Sequence, residues 1–126
     1  SKMQAISTDQ APAAIGPYSQ AYSAGGFLFT SGQIALQPSG QMVDGDVVAE
    51  AKQVFANLKA VLHAAGCEAS NVVRATVYLI DLGEFAAVNE IYATFFGEHK
   101  PARACVQVAA LPKGGQIEID FVAMLP

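Results

Sequence analysis

The sequence predicts one α+β domain in which two helices cover one face of a mixed sheet of about six strands. The chain has 126 residues, the length of a single domain. Two segments place apolar residues at the spacing of an α-helix, and the remaining elements are short runs of alternating polarity, which is typical of strands. The elements follow in the order three strands, helix, strand, helix, two strands.

The N-terminal part is predicted to form short strands separated by loops. A loop containing Pro12 and the Gly16-Pro17 pair follows the first strand. Gly25-Gly26 marks the turn of a hairpin between the second and third strands. The predicted strands cover residues 3–8, 19–23 and 27–31.

The first helix is predicted between Asp46 and Gly66. Aspartate is a favourable N-cap because its side chain accepts hydrogen bonds from free backbone N–H groups, and glycine is a common helix terminator. The apolar positions recur at helical spacing. They are Val47, Ala51, Val54, Phe55, Leu58, Val61, Leu62 and Ala65.

The second half of the chain is predicted to alternate strand and helix before two final strands. Asp81 and Glu84 have the spacing of a capping box ahead of a second helix, which ends at Gly97. The strand before it carries its apolar face at Val73, Ala75, Val77 and Leu79. The three predicted strands of this half cover residues 71–80, 102–109 and 116–125.

Composition excludes several classes of partner. The net charge is −4 without a basic run, so we expect no nucleic-acid partner. No apolar run approaches the roughly 18 residues of a membrane span, so we expect a cytoplasmic or organelle-matrix protein.

Only 14% of the residues are charged, which suggests that some surface, including the uncovered sheet face, is buried in a homo-oligomer. Cys67 and Cys105 lack the spacing of metal ligands, and we expect no metal.

Arg103 is the first candidate for a functional residue because it interrupts an otherwise apolar strand. Its planar guanidinium suits a carboxylate or phosphate ligand. If the last two strands form a hairpin, matching their apolar sides places Arg103 on one face with Cys105, Gln107, Glu118 and Asp120. Arg103 and Glu118 then form either a small-anion site, with a carboxylate that acts on water, or a structural ion pair. Burial would raise the pKa of Glu118, and the guanidinium would lower it.

Three further positions each fit two interpretations. Cys105 is either a nucleophile or, more often for this residue type, a small apolar packing residue. The Ser31-Gly32 pair either permits close approach of a ligand or simply ends a strand. Tyr18 either covers a site or packs.

Eight segments resemble the RidA (YjgF) family of reactive intermediate deaminases, in order along nearly the whole chain. They are residues 11–19 (APAAIGPYS), 30–34 (TSGQI), 64–66 (AAG), 76–82 (TVYLIDL), 85–89 (FAAVN), 101–106 (PARACV), 110–113 (ALPK) and 117–119 (IEI). The resemblance implies a chorismate-mutase-like α+β fold in a homotrimer with sites at the subunit clefts. It also implies hydrolysis of enamines and imines, such as 2-aminoacrylate, 2-iminopropanoate and 2-iminobutanoate, to 2-oxo acids and ammonia, without a cofactor.

The resemblance also implies residue roles. Arg103 would hold the substrate carboxylate, and Glu118 would position or activate the attacking water. Backbone contacts would come from Gly32 and Cys105, with Ser31 beside them. Tyr18 would close the site from a neighbouring subunit, and Asn89 would lie near the cleft.

The segment 97–101 departs from the family pattern. It is shorter than in many members, and Lys100 stands where an aromatic residue is common, so substrate breadth is open. Two other functions remain open as well. One is a non-enzymatic trimer that binds 2-oxo acids or related metabolites, and the other is a chaperone-like or ribonuclease interaction protein.

Overall fold

A mixed six-stranded sheet carries two α-helices on one face, as the sequence predicts. The computed structural model describes residues 2–126. The strands are β1 (Gln4–Ile6), β2 (Ala21–Ala24), β3 (Phe27–Thr30), β4 (Val72–Leu79), β5 (Ala102–Gln107) and β6 (Ile117–Met124). The helices are α1 (Val47–Ala64) and α2 (Phe85–Phe96), and short 3₁₀ turns cover Ala69–Asn71, Leu82–Glu84 and Pro112–Gly114.

The last strand lies in the middle of the sheet. The strand order is β1-β2-β3-β6-β4-β5, with β6 antiparallel to both β3 and β4. β5 is an edge strand and runs parallel to β4, which requires the α2 crossover between them. The predicted hairpin of β5 and β6 is therefore wrong. β4 separates the two strands, and residues 108–116 carry the chain past it.

The core forms between the helices and the covered face of the sheet. Asp46 caps α1 by accepting from the Ala49 N–H at 2.9 Å, as predicted. Gly66 follows the helix with a φ of +77°, a conformation that glycine adopts without steric strain. From β6, the core receives Ile117, Ile119, Phe121 and Ala123, all of them buried. Phe121 packs against the rings of two residues at the end of α2, Phe95 and Phe96.

Two local predictions are corrected. A bulge interrupts the β4–β6 pairing between Val72 and Arg74, so Val72 is buried and Val73 is exposed. The Asp81 carboxylate accepts from Gly83 N–H and caps a 3₁₀ turn, while α2 begins only at Phe85 with no side-chain cap from Glu84. The capping box predicted from Asp81 and Glu84 is therefore wrong.

The second face of the sheet, called here the open face, carries no helix from the described residues 2–126. It exposes Tyr22, Phe29, Val106 and Met124. The register places Arg74, Thr76, Tyr78, Glu118, Asp120 and Val122 on the same face. Cys105, which was predicted on one face with Glu118 and Asp120, is instead paired with buried Val77 and lies on the helix side. Among residues 2–126, no helix is long and apolar enough to cross a membrane.

We expect Phe121→Ala to lower the free energy of unfolding by about 3–5 kcal/mol, because it leaves a cavity in the core. Phe121 is 1% exposed, with ring centroids 5.9 and 5.5 Å from those of Phe95 and Phe96. Urea unfolding at one fixed protein concentration measures the change. Ile15→Ala, at a side chain 77% exposed, is the control and should change stability by less than about 0.5 kcal/mol. Equal losses in the two variants would contradict the packing described.

Candidate functional site

A cleft of about 560 Å³ lies beside the start of β6. Its walls include Tyr18, Ser31, Gly32, Lys113 and Glu118, and we call it the Glu118 cleft. It therefore brings together four of the residues predicted for a site. Its volume is also large enough for a small metabolite and falls within the range usual for ligand pockets.

Buried hydrogen bonds hold the loop that forms one wall of this cleft. The Gln20 side chain is buried, accepts from the Thr8 N–H at 2.7 Å and donates to the Pro12 carbonyl at 2.8 Å. The Ser31 hydroxyl donates to the Ser19 carbonyl at 2.5 Å. The proton of Ser31 is thus engaged within the protein, and a ligand could use only the acceptor capacity of this hydroxyl.

Gly32 makes room for Glu118. β3 ends at Thr30, and pairing with β6 resumes at Gln33, which exchanges backbone hydrogen bonds with Ile119. In between, a Cβ atom on Gly32 would overlap Oε2 of Glu118. The close approach predicted for the Ser31-Gly32 pair is therefore an approach of the Glu118 carboxylate itself.

Glu118 is a half-buried carboxylate whose surroundings disfavour its charge. Burial raises the pKa of Glu118, and the negative charge of Asp120 raises it further. The Arg103 guanidinium was predicted to lie beside Glu118 and to lower its pKa, and within one chain this prediction is wrong. Arg103 lies on the other side of the sheet, which the register shows directly.

Arg103 lies on the helix face, where α2 supports it. Its partner in β4 is Ala75, which is buried under the helices, whereas the β4 partner of Glu118 is Tyr78 on the open face. The grouping of Arg103, Cys105 and Gln107 with Glu118 and Asp120 on one face is therefore wrong. The prediction matched the apolar sides of β5 and β6 as if the two strands were paired in a hairpin, and that hairpin does not form.

The guanidinium of Arg103 is held by three residues of α2. One terminal nitrogen donates to Oδ1 of Asn89 at 2.7 Å. The guanidinium carbon lies 5.1 Å from the ring centroid of Phe85 and 4.7 Å from that of Tyr92. Phe85, Asn89 and Tyr92 are spaced i, i+4 and i+7, so they share one side of the helix. We call Asn89, Arg103, Cys105 and these two rings the Arg103 cluster.

The two rings were not predicted as site residues, because helical spacing alone indicates that Phe85 and Tyr92 belong to an apolar stripe. A polar Asn89 inside an apolar helical stripe was the available signal. Arg103 lies on the helix face without burying its charge, because β5 is an edge strand and the guanidinium remains exposed. Each cation–π contact adds about 0.5–1 kcal/mol at an exposed site.

Cys105 shares this cluster as a packing residue. Burial raises the pKa of its thiol, opposed by the nearby charge of Arg103, so the thiolate needed for attack is disfavoured. Neither histidine can activate it: His63 contacts Glu68 at 3.1 Å, and His99 contacts the Val72 carbonyl at 2.6 Å. Within residues 2–126, no group of three or more potential ligands could hold a metal ion.

One chain thus places the predicted site residues in two groups on opposite sides of the sheet. The Glu118 cleft holds Tyr18, Ser31, Gly32 and Glu118, and the Arg103 cluster holds Asn89, Arg103 and Cys105.

Comparison with known proteins gives close relatives over nearly the whole chain. The family model described as Endoribonuclease L-PSP matches residues 8–125. A RutC family protein of Synechocystis is 56% identical over 98% of each chain. The 2-iminobutanoate/2-iminopropanoate deaminase of Mus musculus is 55% identical over 94% of this chain and 89% of its own. The crystal structure of E. coli TdcF with bound serine has a TM-score of 0.91 at 43% identity, covering 96% of this chain and 98% of its own.

We expect Gly32→Ala to destabilise the protein because its new methyl group would collide with the Glu118 carboxylate. A loss of about 1–3 kcal/mol is typical of overpacking. Denaturant unfolding measures it in two backgrounds. In Glu118→Ala, the colliding atoms are gone, so the same change at position 32 should cost much less. Equal costs in both backgrounds would mean that Glu118 does not occupy this space.

Proposed function

Because the chain belongs to the RidA (YjgF) family, we propose that it hydrolyses small 2-imino acids and their enamine forms to 2-oxo acids and ammonia. The substrates are 2-iminopropanoate, 2-iminobutanoate and 2-aminoacrylate. The observation that carries the proposal is the combination of an exposed, braced guanidinium with a half-buried carboxylate of raised pKa. The name of the mouse relative, 55% identical, supports the two imino acids among these substrates.

The proposed active site is completed between subunits of a homotrimer. The Arg103 cluster and the Glu118 cleft lie on opposite sides of the sheet, so a substrate contacts both only if they come from different subunits. The exposed apolar residues of the open face supply a surface that a second copy can cover. Tyr18 then enters from the subunit that provides Glu118, and Arg103 comes from its neighbour. This replaces the arrangement expected from the resemblance, in which Tyr18 alone came from a neighbour.

Arg103 holds the substrate carboxylate in this proposal. Asn89 occupies one guanidinium N–H group, and the Phe85 and Tyr92 rings fix its plane, which leaves further N–H groups for a bidentate contact. The backbone of Cys105 and the segment at Gly32 approach the same ligand. Fixing the carboxylate places the C=N carbon within reach of a water beside Glu118.

Glu118 acts as the general base. It takes a proton from water as the oxygen attacks the C=N carbon, and it returns this proton to the imine nitrogen to give a neutral carbinolamine. The hydroxyl proton of the carbinolamine is then transferred to its amino group, which leaves as ammonia as the carbonyl forms. 2-Aminoacrylate first gains a proton at C3 and loses one from nitrogen. An imine carbon is already electrophilic, so positioning of the reactants can supply much of the rate, about 7–11 kcal/mol in favourable cases.

A metabolite-binding trimer is the second candidate, and the serine bound to TdcF favours it because that relative holds a small amino acid. Such a protein needs Arg103 but no carboxylate that handles water.

A ribonuclease activity, which the family description names, is not supported by the net charge of the chain. The chain carries −4 overall, and nucleic-acid affinity depends mainly on cationic contacts with phosphates.

We expect Glu118→Gln to lower turnover by about 10²–10⁴-fold, the usual contribution of a general base. Affinity for a stable 2-oxo acid should change far less, because Arg103 still holds the carboxylate. The measurements are ammonia release from enzymatically generated 2-aminoacrylate and calorimetric titration with 2-oxobutanoate. Arg103→Lys should weaken both, since lysine cannot make the bidentate contact. Retained turnover with lost affinity in Glu118→Gln would favour the binding protein instead.

Mixing the two inactive variants tests the shared site. Arg103→Lys and Glu118→Gln subunits, unfolded together and reassembled in equal amounts, should recover about a quarter of wild-type activity, because a random trimer pairs an intact Arg103 with an intact Glu118 at that frequency. Each variant reassembled alone is the control. Light scattering should report about three times the 13.1 kDa chain mass. No recovery in mixed trimers would place both residues in one subunit's site.

We expect Cys105→Ala to keep turnover within about threefold of wild type, because this residue contributes packing and a backbone contact only. Steady-state ammonia release measures it. Complete inactivation of a folded Cys105→Ala trimer would instead require a catalytic thiolate.

A further inference from the structure

We propose that Asp120, fixed by the Tyr78 hydroxyl, is a positioning residue that acts through Glu118, its charge setting how readily the Glu118 carboxylate takes a proton from water. The role rests on the proposed function, since it concerns the base of that reaction. Nothing in the roles described so far requires a second carboxylate beside Glu118.

The pairing of β4 with β6 places four side chains in one patch of the open face. Glu118 and Asp120 are two residues apart on β6 and therefore point to the same side, about 7 Å apart along the strand. Tyr78 lies directly across from Glu118, and Thr76 lies directly across from Asp120. The Tyr78 hydroxyl crosses this arrangement diagonally and donates to Oδ2 of Asp120 at 3.0 Å.

This geometry keeps Asp120 in place, and its polar neighbours partly offset the effect of burial, which raises the pKa of Asp120 overall. Burial raises the pKa of Asp120, but the Tyr78 hydrogen bond, the Arg74 charge and a Thr76 hydrogen bond all lower it. An ionised Asp120 repels a second negative charge on Glu118, so the proton affinity of Glu118 rises. A purely structural Asp120 would satisfy Tyr78 without affecting Glu118.

Within residues 2–126 of one chain, few other charges face Glu118; in the proposed trimer the neighbour's Arg103 is added, and it is the same in all the variants compared below. From β4, the open face presents Arg74 and Tyr78. The cleft walls add the phenol of Tyr18 and the ammonium of Lys113. The residues beside Glu118 on the β3 side, Ser31, Gly32 and Gln33, carry no charge. Among these, Asp120 is the group whose charge raises the proton affinity of Glu118.

The test is the titration of individual carboxyl groups by carbon NMR on the intact protein, with Glu118→Gln identifying the Glu118 signal. Asp120→Asn removes the charge and keeps an acceptor for Tyr78. We expect the Glu118 midpoint to fall by about 0.5–1 pH unit, from the Coulomb interaction of half-exposed charges at this separation. Asp44→Asn removes the same charge from an exposed loop position and should leave the Glu118 midpoint unchanged.

Activity supplies a second readout. In Asp120→Asn, the acid limb of the profile of kcat/KM against pH should move to lower pH by the same amount as the Glu118 midpoint. The plateau value of kcat/KM should fall a few-fold, because a less basic carboxylate is a weaker general base. A merely structural role would lower the plateau without moving the limb. If the wild type releases no ammonia, the proposed function fails, whereas the shift of the Glu118 midpoint would still show the coupling.

Tyr78→Phe keeps the proposal testable if Asp120→Asn does not fold. Loss of the hydroxyl should raise the Asp120 midpoint and lower that of Glu118 by less than Asp120→Asn does. An unchanged Glu118 midpoint in whichever of the two variants folds would overturn the proposal.

Discussion

The antiparallel pairing of β6 with both β3 and β4 is the constraint on which the rest of the structure depends. Its alternate residues Ile117, Ile119 and Phe121 enter the core, so the residues between them must face the open side. Glu118 and Asp120 are thereby fixed on that side. A slip of one residue would bury both carboxylates under the helices and expose the core residues, at a large cost in free energy.

The edge position of β5 allows a charged residue on the helix face, from which Glu118 and Asp120 are excluded. An edge strand is only partly covered, so Arg103 can lie on the helix face without losing contact with water. The Phe85 and Tyr92 rings and the Asn89 amide of α2 then orient the guanidinium. The cation is held in a fixed plane while its remaining donors stay accessible, which is the condition for bidentate recognition of a small carboxylate. α2 is the crossover helix between the parallel strands β4 and β5, so the helix that orients the guanidinium directly precedes the strand that carries it.

The separation of the Glu118 cleft from the Arg103 cluster connects the proposed assembly to the proposed chemistry. Among residues 2–126 of one chain, no positive charge offsets the burial of Glu118 and the charge of Asp120, so the pKa of Glu118 stays raised. A site completed between subunits would bring the guanidinium near only in the assembled protein. In the proposed reaction, the substrate carboxylate would then neutralise that guanidinium and preserve the basicity of Glu118. The apolar residues of the open face would stabilise the same contact.

The sequence by itself determined the two helices, the hairpin of β2 and β3, the six-stranded α+β class and the identity of Arg103 and Glu118 as unusual polar positions. These depend on local spacing, on caps such as Asp46 and on turn residues such as Gly25-Gly26, whose effects act within a few residues. Only the tertiary structure decided that β6 inserts between β3 and β4, that Arg103 and Glu118 face opposite ways, and that Phe85 and Tyr92 hold a cation. Strand order and register depend on contacts between residues distant in sequence. Alternation within a strand shows which side chains share a face, but not which neighbour the strand will pair with or which layer that face will meet.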